Sequence, residues 1–219
     1  MKILIGWPIR RFDCVEQVRD TLHWAWGLEG KHEIRYFMDC TYGVDMARSR
    51  IIYEARKWGA DLLIMVDSDA VPKTLARECL SFAAQAFSRG FCALVAPTVS
   101  SDDKIMLWAP ADRPPFQTLA DIPRGQAFPI DWGALGLVFI RGEALAVLKP
   151  LAEQPFLNGP TPDWTLPLYC LYTPKEGEDR SLCHNLAAST GRKVGADTRL
   201  VVEHFKLKGK TPPWVGNAV

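Results

Sequence analysis

The chain lacks the marks of a secreted, membrane-spanning, zinc-binding or dinucleotide-binding protein. No stretch approaches the roughly 20 apolar residues that a bilayer span needs. The opening MKILIGWPIRRF has too short an apolar run for a signal peptide. Six cysteines stand at 14, 40, 79, 92, 170 and 183 with no CxxC pair among them, which argues against a zinc site. Cys79, Cys92 and Cys183 fall in apolar periodic stretches, so the cysteines read as reduced and structural, and they favour a cytoplasmic setting. Net charge is nearly absent, +1 from 26 basic and 25 acidic residues, which gives no general field for nonspecific nucleic-acid binding. No GxGxxG follows the first strand, where GWPIRRF stands instead, and this excludes a Rossmann oxidoreductase. Internal repeats and low-complexity tracts are missing as well.

What is present is 219 residues, 48% apolar and 23% charged, the profile of one packed domain that needs no disulfide or structural metal. Lys2 to Trp7 is a short apolar run stopped by Pro8, the pattern of a buried strand. Asp13 and Glu16 form a capping box that opens a helix to about Leu28, and a second strand runs from Glu33 to Met38. Asp45 is expected to cap a second helix, whose Ala47, Ile51, Ala55 and Trp58 share one face and which Gly59 closes. LLIMV is the third strand; after Asp67-Ser68-Asp69 come Pro72, a helix from about Thr74 to Arg89 and a strand near Cys92 to Ala96.

Residues 97–130 are rich in proline and leave room for short strands and loops. A strand from about Leu135 to Ile140 and a short helix to Leu148 follow, then a loop-rich stretch over residues 150–177. A helix from Asp179 to Thr190 and a last strand from Arg199 to Val202 precede the basic tail FKLKGKTPPW. The alternation predicts an α/β fold, a mostly parallel central sheet with helices on both faces in a single domain.

Open parallel sheets bind ligands beyond the carboxyl ends of their strands. Asp67 and Asp69 stand where the third strand ends. Two carboxylates one residue apart in an extended turn can face one hard cation, and Mn2+ or Mg2+ shares such oxygens with phosphates. The ion would bridge a donor diphosphate and neutralise charge on the leaving group. The competing reading of DSDAVP is a plain polar turn, because Asp and Ser are common turn formers.

The surrounding segments favour the metal. ARSRIIYEARKWGADLLIMVDSDAVP resembles the stretch of GT-A glycosyltransferases, of the family-two-like and phage type, in which an ARN-like helix precedes the DxD strand. Arg48 matches the arginine of that motif, and Ser49 stands where asparagine is frequent. PIDWGALGLVFIRGEAL resembles the acceptor-side segment of the same enzymes. EGEDRSLCHNLAASTGRKVGADTRLVVEHF resembles their later ED helix, glycine turn, Asp-Thr strand and histidine. HFKLKGKTPPW resembles the HFxGxxKPW ending of family-eight transferases, with the glycine displaced to Gly209 and one extra residue between Pro212 and Trp214.

This resemblance implies a GT-A (Rossmann-like) fold and a metal-dependent glycosyltransferase moving a sugar from a nucleotide-diphosphate sugar, UDP-linked by default, to an acceptor hydroxyl. Asp69, Asp67 and His204 are its implied metal residues, and Asp67, Ser68 and Arg48 its implied donor contacts. Lys210 is the first choice for the diphosphate, with Lys208 and Lys206 as substitutes, against the reading of all three as a solvated basic end. Pro8 and Arg11 follow the first strand, where the donor base and ribose should lie. Asp179 matches the ED aspartate that serves as base in inverting enzymes, with Glu178 orienting the acceptor or taking that role. The alternative makes one of these two a helix N-cap. Trp132 and Gly133 would floor the acceptor site, unless Trp132 is a core aromatic.

The ED segment resembles inverting enzymes and the tail retaining ones; inversion is preferred because Glu178-Asp179 supplies a base. On this reading residues 1–100 bind the nucleotide sugar, 101–203 the acceptor, and 204–219 cover the diphosphate. The acceptor is a glycan or small molecule, or a hydroxylated base in phage DNA that must be flipped out to be reached. The setting is the cytoplasm of a bacterium or a phage-infected cell. Two rivals are a DxD nucleotidyltransferase, which leaves the ED helix and terminal histidine unexplained, and a noncatalytic sugar-nucleotide-binding module, which leaves Asp67, Asp69, Asp179 and His204 without purpose.

Overall fold

Uninterrupted apolar runs become strands and three-to-four-residue periodicities become helices along most of the chain. The computed structural model describes residues 1–9, 15–40, 43–98, 105–155, 165–173 and 177–204. The first elements are β1 (Lys2–Pro8), α1 (Val15–Trp26), β2 (Glu33–Asp39), α2 (Val44–Trp58), β3 (Leu62–Val66), β4 (Ala70–Pro72), α3 (Ala76–Ser88) and β5 (Ala93–Val95). There follow β6 (Leu107–Trp108), a 3-10 turn at Leu119–Asp121, β7 (Phe128–Ile130), β8 (Trp132–Gly133), β9 (Leu137–Arg141) and α4 (Gly142–Val147). The last are β10 (Ala152–Pro155), β11 (Thr165–Leu168), α5 (Glu178–Thr190), β12 (Val194–Ala196) and β13 (Val202–His204).

Seven strands make one sheet in the order β2-β1-β3-β9-β5-β12-β7. β9 and β7 run against the other five, so the sheet is mostly parallel, as the alternation predicts. Side chains alternate between two cores. Leu63 and Met65 of β3 pack with Ile51, Ile52 and Ala55 of α2, Leu145 of α4 and Leu182 of α5. Leu62, Ile64 and Val66 turn to the other face, against Ala25 of α1 and Cys79 and Ala83 of α3. Helices therefore cover both faces. Each fully buried Leu, Ile or Val stabilises the fold by about 1.5–3 kcal/mol.

Gly6 sets how near α2 comes to the sheet. A Cβ on Gly6 would lie 2.3 Å from Ile51 Cγ2, so only glycine lets the helix settle at its present depth. That depth brings Arg48, one turn earlier on α2, to the carboxyl edge of β3.

Several expectations are corrected. Gly43, not Asp45, is the N-cap of α2; Asp45 lies in the first turn, where its Oδ1 accepts from the backbone of Met46. α3 begins at Ala76 rather than Thr74, because Ala70–Pro72 is drawn into β4 and paired with β13. Residues 199–202 are not the last strand: β12 at Val194–Ala196 joins the central sheet, and the final strand starts at Val202. Part of the expected loop region 150–177 forms an antiparallel pair, β10 with β11. Asp13 of the expected capping box lies outside the described residues. The cysteines among the described residues are free, with Cys79, Cys92, Cys170 and Cys183 buried and Cys40 exposed. Burial pushes the thiols of Cys79, Cys170 and Cys183 up to about 12, as inert structural cysteines require. Among the described residues no helix is long and apolar enough to cross a membrane.

Candidate active site

β3 ends at Val66, and the chain turns at once. Asp67 N donates to Gly136 O at 3.0 Å, just ahead of β9, and Asp67 O accepts from Ala70 N at 3.0 Å. The turn buries Ser68 and Asp69 and leads directly into β4. Asp67 thus stands at the carboxyl end of β3, as the sequence predicts.

Arg48 is the centre of the site. Its side chain is only 2% exposed, yet it meets three carboxylates. Nη2 donates to Asp67 Oδ1 at 2.8 Å; Nη1 pairs with Asp179 Oδ1 and lies 3.4 Å from Glu178 Oε1. The planar fork of the guanidinium suits this double engagement, which a single ammonium does not match. Nε is buried without a hydrogen-bond partner among the described residues. Three carboxylates thus share one guanidinium.

A short strap sets the meeting of α2 and α5. Tyr169 N donates to Ser49 Oγ at 3.0 Å, and Tyr172 N to Asp45 Oδ2 at 3.3 Å, both on α2. Leu171 N donates to Ser181 Oγ of α5 at 3.0 Å. Residues 169–172 therefore tie the two helices side by side. Ser49, the departure from the ARN-like pattern, is used here as a buried acceptor for the strap.

The N-cap of α5 is Gly177, so neither Glu178 nor Asp179 caps the helix; both stand in its first turn. There the free amides and the helix dipole favour carboxylates. Burial raises the Asp179 pKa above its ordinary 3.8; Arg48 pulls it down, and the charges of Asp67 and Glu178 push it up again. Burial alone would lower the Arg48 pKa, but the charges of Asp179, Asp67 and Glu178 hold it well above its ordinary value.

The other predicted residues divide. β13 pairs with β4 so that His204 lies opposite Ala70, the residue after Asp69, and the backbone brings position 204 to the acidic turn. Among the described residues no three His, Cys, Asp or Glu side chains form a ready metal cage. Pro8 ends β1 opposite Asp39 of β2, at the same carboxyl edge of the sheet. Arg11, Lys206, Lys208 and Lys210 lie outside the described residues. Trp132 is partly buried against the core and stacks on Trp108, its partner across the β6–β8 pair. Gly133 has a packing reason: a Cβ there would come 2.6 Å from Leu107 Cδ2. Sequence reasoning missed Trp108 because a lone tryptophan in a proline-rich stretch gives no signal until its cross-strand partner is known.

No family model and no curated protein matches the chain. In shape it is similar to A197 from STIV, with a TM-score of 0.57, 15% identity, and 94% of this chain and 86% of that one covered. That likeness is one of fold. Weaker likenesses run to a glycosyltransferase involved in the glycosylation of the major capsid of PBCV-1 (TM-score 0.37, 15% identity, 66% of this chain and 61% of that one). UDP-glucose pyrophosphorylase from acinetobacter baumanii follows (TM-score 0.45, 9% identity, 88% of this chain and 62% of that one).

Proposed function

We propose that this chain is a metal-dependent glycosyltransferase of the GT-A type, moving a sugar from a nucleotide-diphosphate donor to an acceptor hydroxyl with inversion. The observation that carries this reading is the Arg48 cluster. It joins Asp67 at the end of β3 to Glu178 and Asp179 at the start of α5, the two acidic motifs that such an enzyme needs side by side.

Mn2+ or Mg2+ suits the donor set. Asp69 and Asp67 offer hard carboxylate oxygens that would hold the ion, and His204, whose backbone pairs with Ala70 beside them, would be the third ligand. The bound ion would neutralise charge on the diphosphate leaving group. Pro8, Arg11, Ser68 and Arg48 belong to the donor side, and Lys210, with Lys208, to the diphosphate. Asp179 takes the proton of the acceptor hydroxyl on a carboxylate oxygen; its raised pKa brings it nearer to working pH than an ordinary aspartate. Glu178 orients the acceptor, and Arg48 holds both carboxylates in place. The acceptor side is built around Trp132 and Gly133, and both a glycan and a hydroxylated DNA base fit the general scheme.

Donor turnover tests the proposal. A panel of sugar nucleotides and nucleoside triphosphates is offered with Mn2+. Release of nucleoside diphosphate from one sugar nucleotide, abolished in Asp69→Asn, is expected. Pyrophosphate release from a triphosphate in the presence of a sugar phosphate would replace this reading with a nucleotidyltransferase.

A further inference from the structure

The amino edge of the sheet, at the far end of β3 from the acidic turn, holds a cavity of about 230 Å3 lined by Cys92, Arg141, Glu143, Val147, Thr190 and Arg192. β9 runs against β3, so Arg141 pairs with Leu62, the first residue of β3, whereas Asp67 follows the last. Five steps of strand put about 16 Å between the levels of Asp67 and Leu62. α5 likewise starts at Glu178 and ends beside the cavity at Thr190. The transfer reaction proposed above uses none of the residues around this cavity.

Two guanidiniums meet here on one carboxylate. Glu143 Oε2 pairs with Arg141 Nη2 and lies 3.7 Å from Arg192 Nη1. The Glu143 side chain is 70% exposed, whereas that of Arg141 is only 19% exposed. Both arginines are held from behind. Arg141 N donates to Cys92 O at 3.3 Å, and its guanidinium lies 5.9 Å from the centre of the Phe87 ring. Gly191, in the left-handed conformation at φ 65°, ends α5 and turns the chain so that Arg192 N donates to Thr190 Oγ1 at 3.1 Å. The Ser189 and Thr190 hydroxyls donate to Asn185 Oδ1 and Leu186 O, so their protons are committed. The side-chain donors left for a ligand in this cavity are the two guanidiniums.

We infer that this cavity binds the phosphate dianion of a small ester, whose oxygens replace the Glu143 carboxylate between Arg141 and Arg192. Phosphate oxygens match guanidinium forks in pairs of parallel hydrogen bonds. Ion pairs as exposed as those of Glu143 contribute little, so releasing that side chain to water costs little. Glu143 still competes at the high effective concentration of a tethered group. A monoanion brings no more charge than Glu143 itself, whereas a dianion does and so prevails. Ala144 and Val147 give an apolar wall for the carbon body of the ester. The volume falls below the roughly 300–1,000 Å3 of sites for drug-sized ligands, which selects a small ester over a nucleotide. This site shares no residue with the transferase reading and stands or falls apart from it.

Calorimetric titration of the full chain with methyl phosphate tests this at about pH 8, above the second phosphate pKa of about 6. EDTA is present to keep metal from the acidic turn. Saturable binding of methyl phosphate is expected, with dimethyl phosphate and acetate, both monoanions, about tenfold weaker or worse. Arg192→Gln should weaken methyl phosphate about tenfold or more, the scale for losing one hydrogen-bonded charge. Arg141→Gln should do the same. Circular dichroism checks that each variant keeps its fold, and Arg192, with a side chain 43% exposed, is the safer of the two to replace. Glu143→Gln should tighten binding several-fold by removing the competitor. Glu78→Gln, which changes an exposed acid in the first turn of α3, should leave it as it was. The site is overturned by any of four results: no saturable binding, binding indifferent to Arg192→Gln, acetate as tight as methyl phosphate, or equal effects of Glu143→Gln and Glu78→Gln.

Discussion

Arg48 shows how one side chain can decide a site. Removing it would take away the guanidinium that Asp67, Glu178 and Asp179 share. Breaking a buried ionic cluster from one side costs about 3–5 kcal/mol, so Arg48→Met should lose that much in chemical denaturation. Arg48→Lys should recover little, because one ammonium cannot serve Asp67 and Asp179 together. Asp179 makes a prediction in pH. Its folded pKa is raised above the ordinary 3.8, so the folded chain holds that proton more tightly than the unfolded one. The stability it contributes is complete below 3.8 and is lost as pH rises through the raised value. Asp179→Asn removes that decline, so denaturation midpoints should show the variant gaining on the parent as pH climbs through this window. Turnover of the parent should rise over the same window as the base ionises, and the variant should show almost none. The types and positions of these residues were legible in the sequence: an acidic pair after an apolar strand and another at a helix start. Their joint dependence on Arg48 was not, because that contact links residues 131 apart and exists only after α2 and α5 have packed.

Elements were legible in proportion to how much of their stability is local. α2, α3 and α5 carry their own periodicity, and β3 is a five-residue apolar run; all were expected close to their observed places. β12 was missed because Val194–Ala196 is three residues long with a central glycine, and it becomes a strand only between β5 and β7. The same holds for β4 and β13, each three residues long, whose pairing carries the chain end back to the acidic turn. The placement of α2 depends on Gly6, and this can be tested. Gly6→Ala puts a methyl 2.3 Å from Ile51 Cγ2, and overpacking of this kind costs about 1–3 kcal/mol. In an Ile51→Ala background the same change should cost much less, giving a clear coupling term in a double-mutant cycle. Because α2 carries Arg48, Gly6→Ala should also depress turnover in the otherwise unaltered chain. A cycle with no coupling would show that the helix is held at its depth by something other than this contact.

At the scale of the whole molecule, the proposed donor site draws on parts that the fold alone brings together. Asp67 and Asp69 follow β3, Arg48 comes from α2, Glu178 and Asp179 from α5, and residue 204 from the last described strand. A ligand that engages such a site binds the folded chain and not the unfolded one, so it must raise the melting temperature by mass action. At a free concentration about one hundred times Kd, one nucleotide sugar stabilises the fold by about 2.7 kcal/mol. For a domain of this size each kcal/mol moves Tm by about 2–4 °C, so a rise of about 5–11 °C is expected. The acidic cluster adds a sharper condition. A diphosphate brought alone to a turn already holding excess carboxylate is repelled, whereas Mn2+ between them reverses the sign of that interaction. The shift should therefore appear with Mn2+ and one sugar nucleotide together and shrink towards zero with the nucleotide alone. Asp69→Asn should abolish the metal-dependent part without lowering Tm of the free chain by a comparable amount. An equal shift with and without metal would mean that the donor is held by cationic side chains, and the acidic turn would then need another explanation.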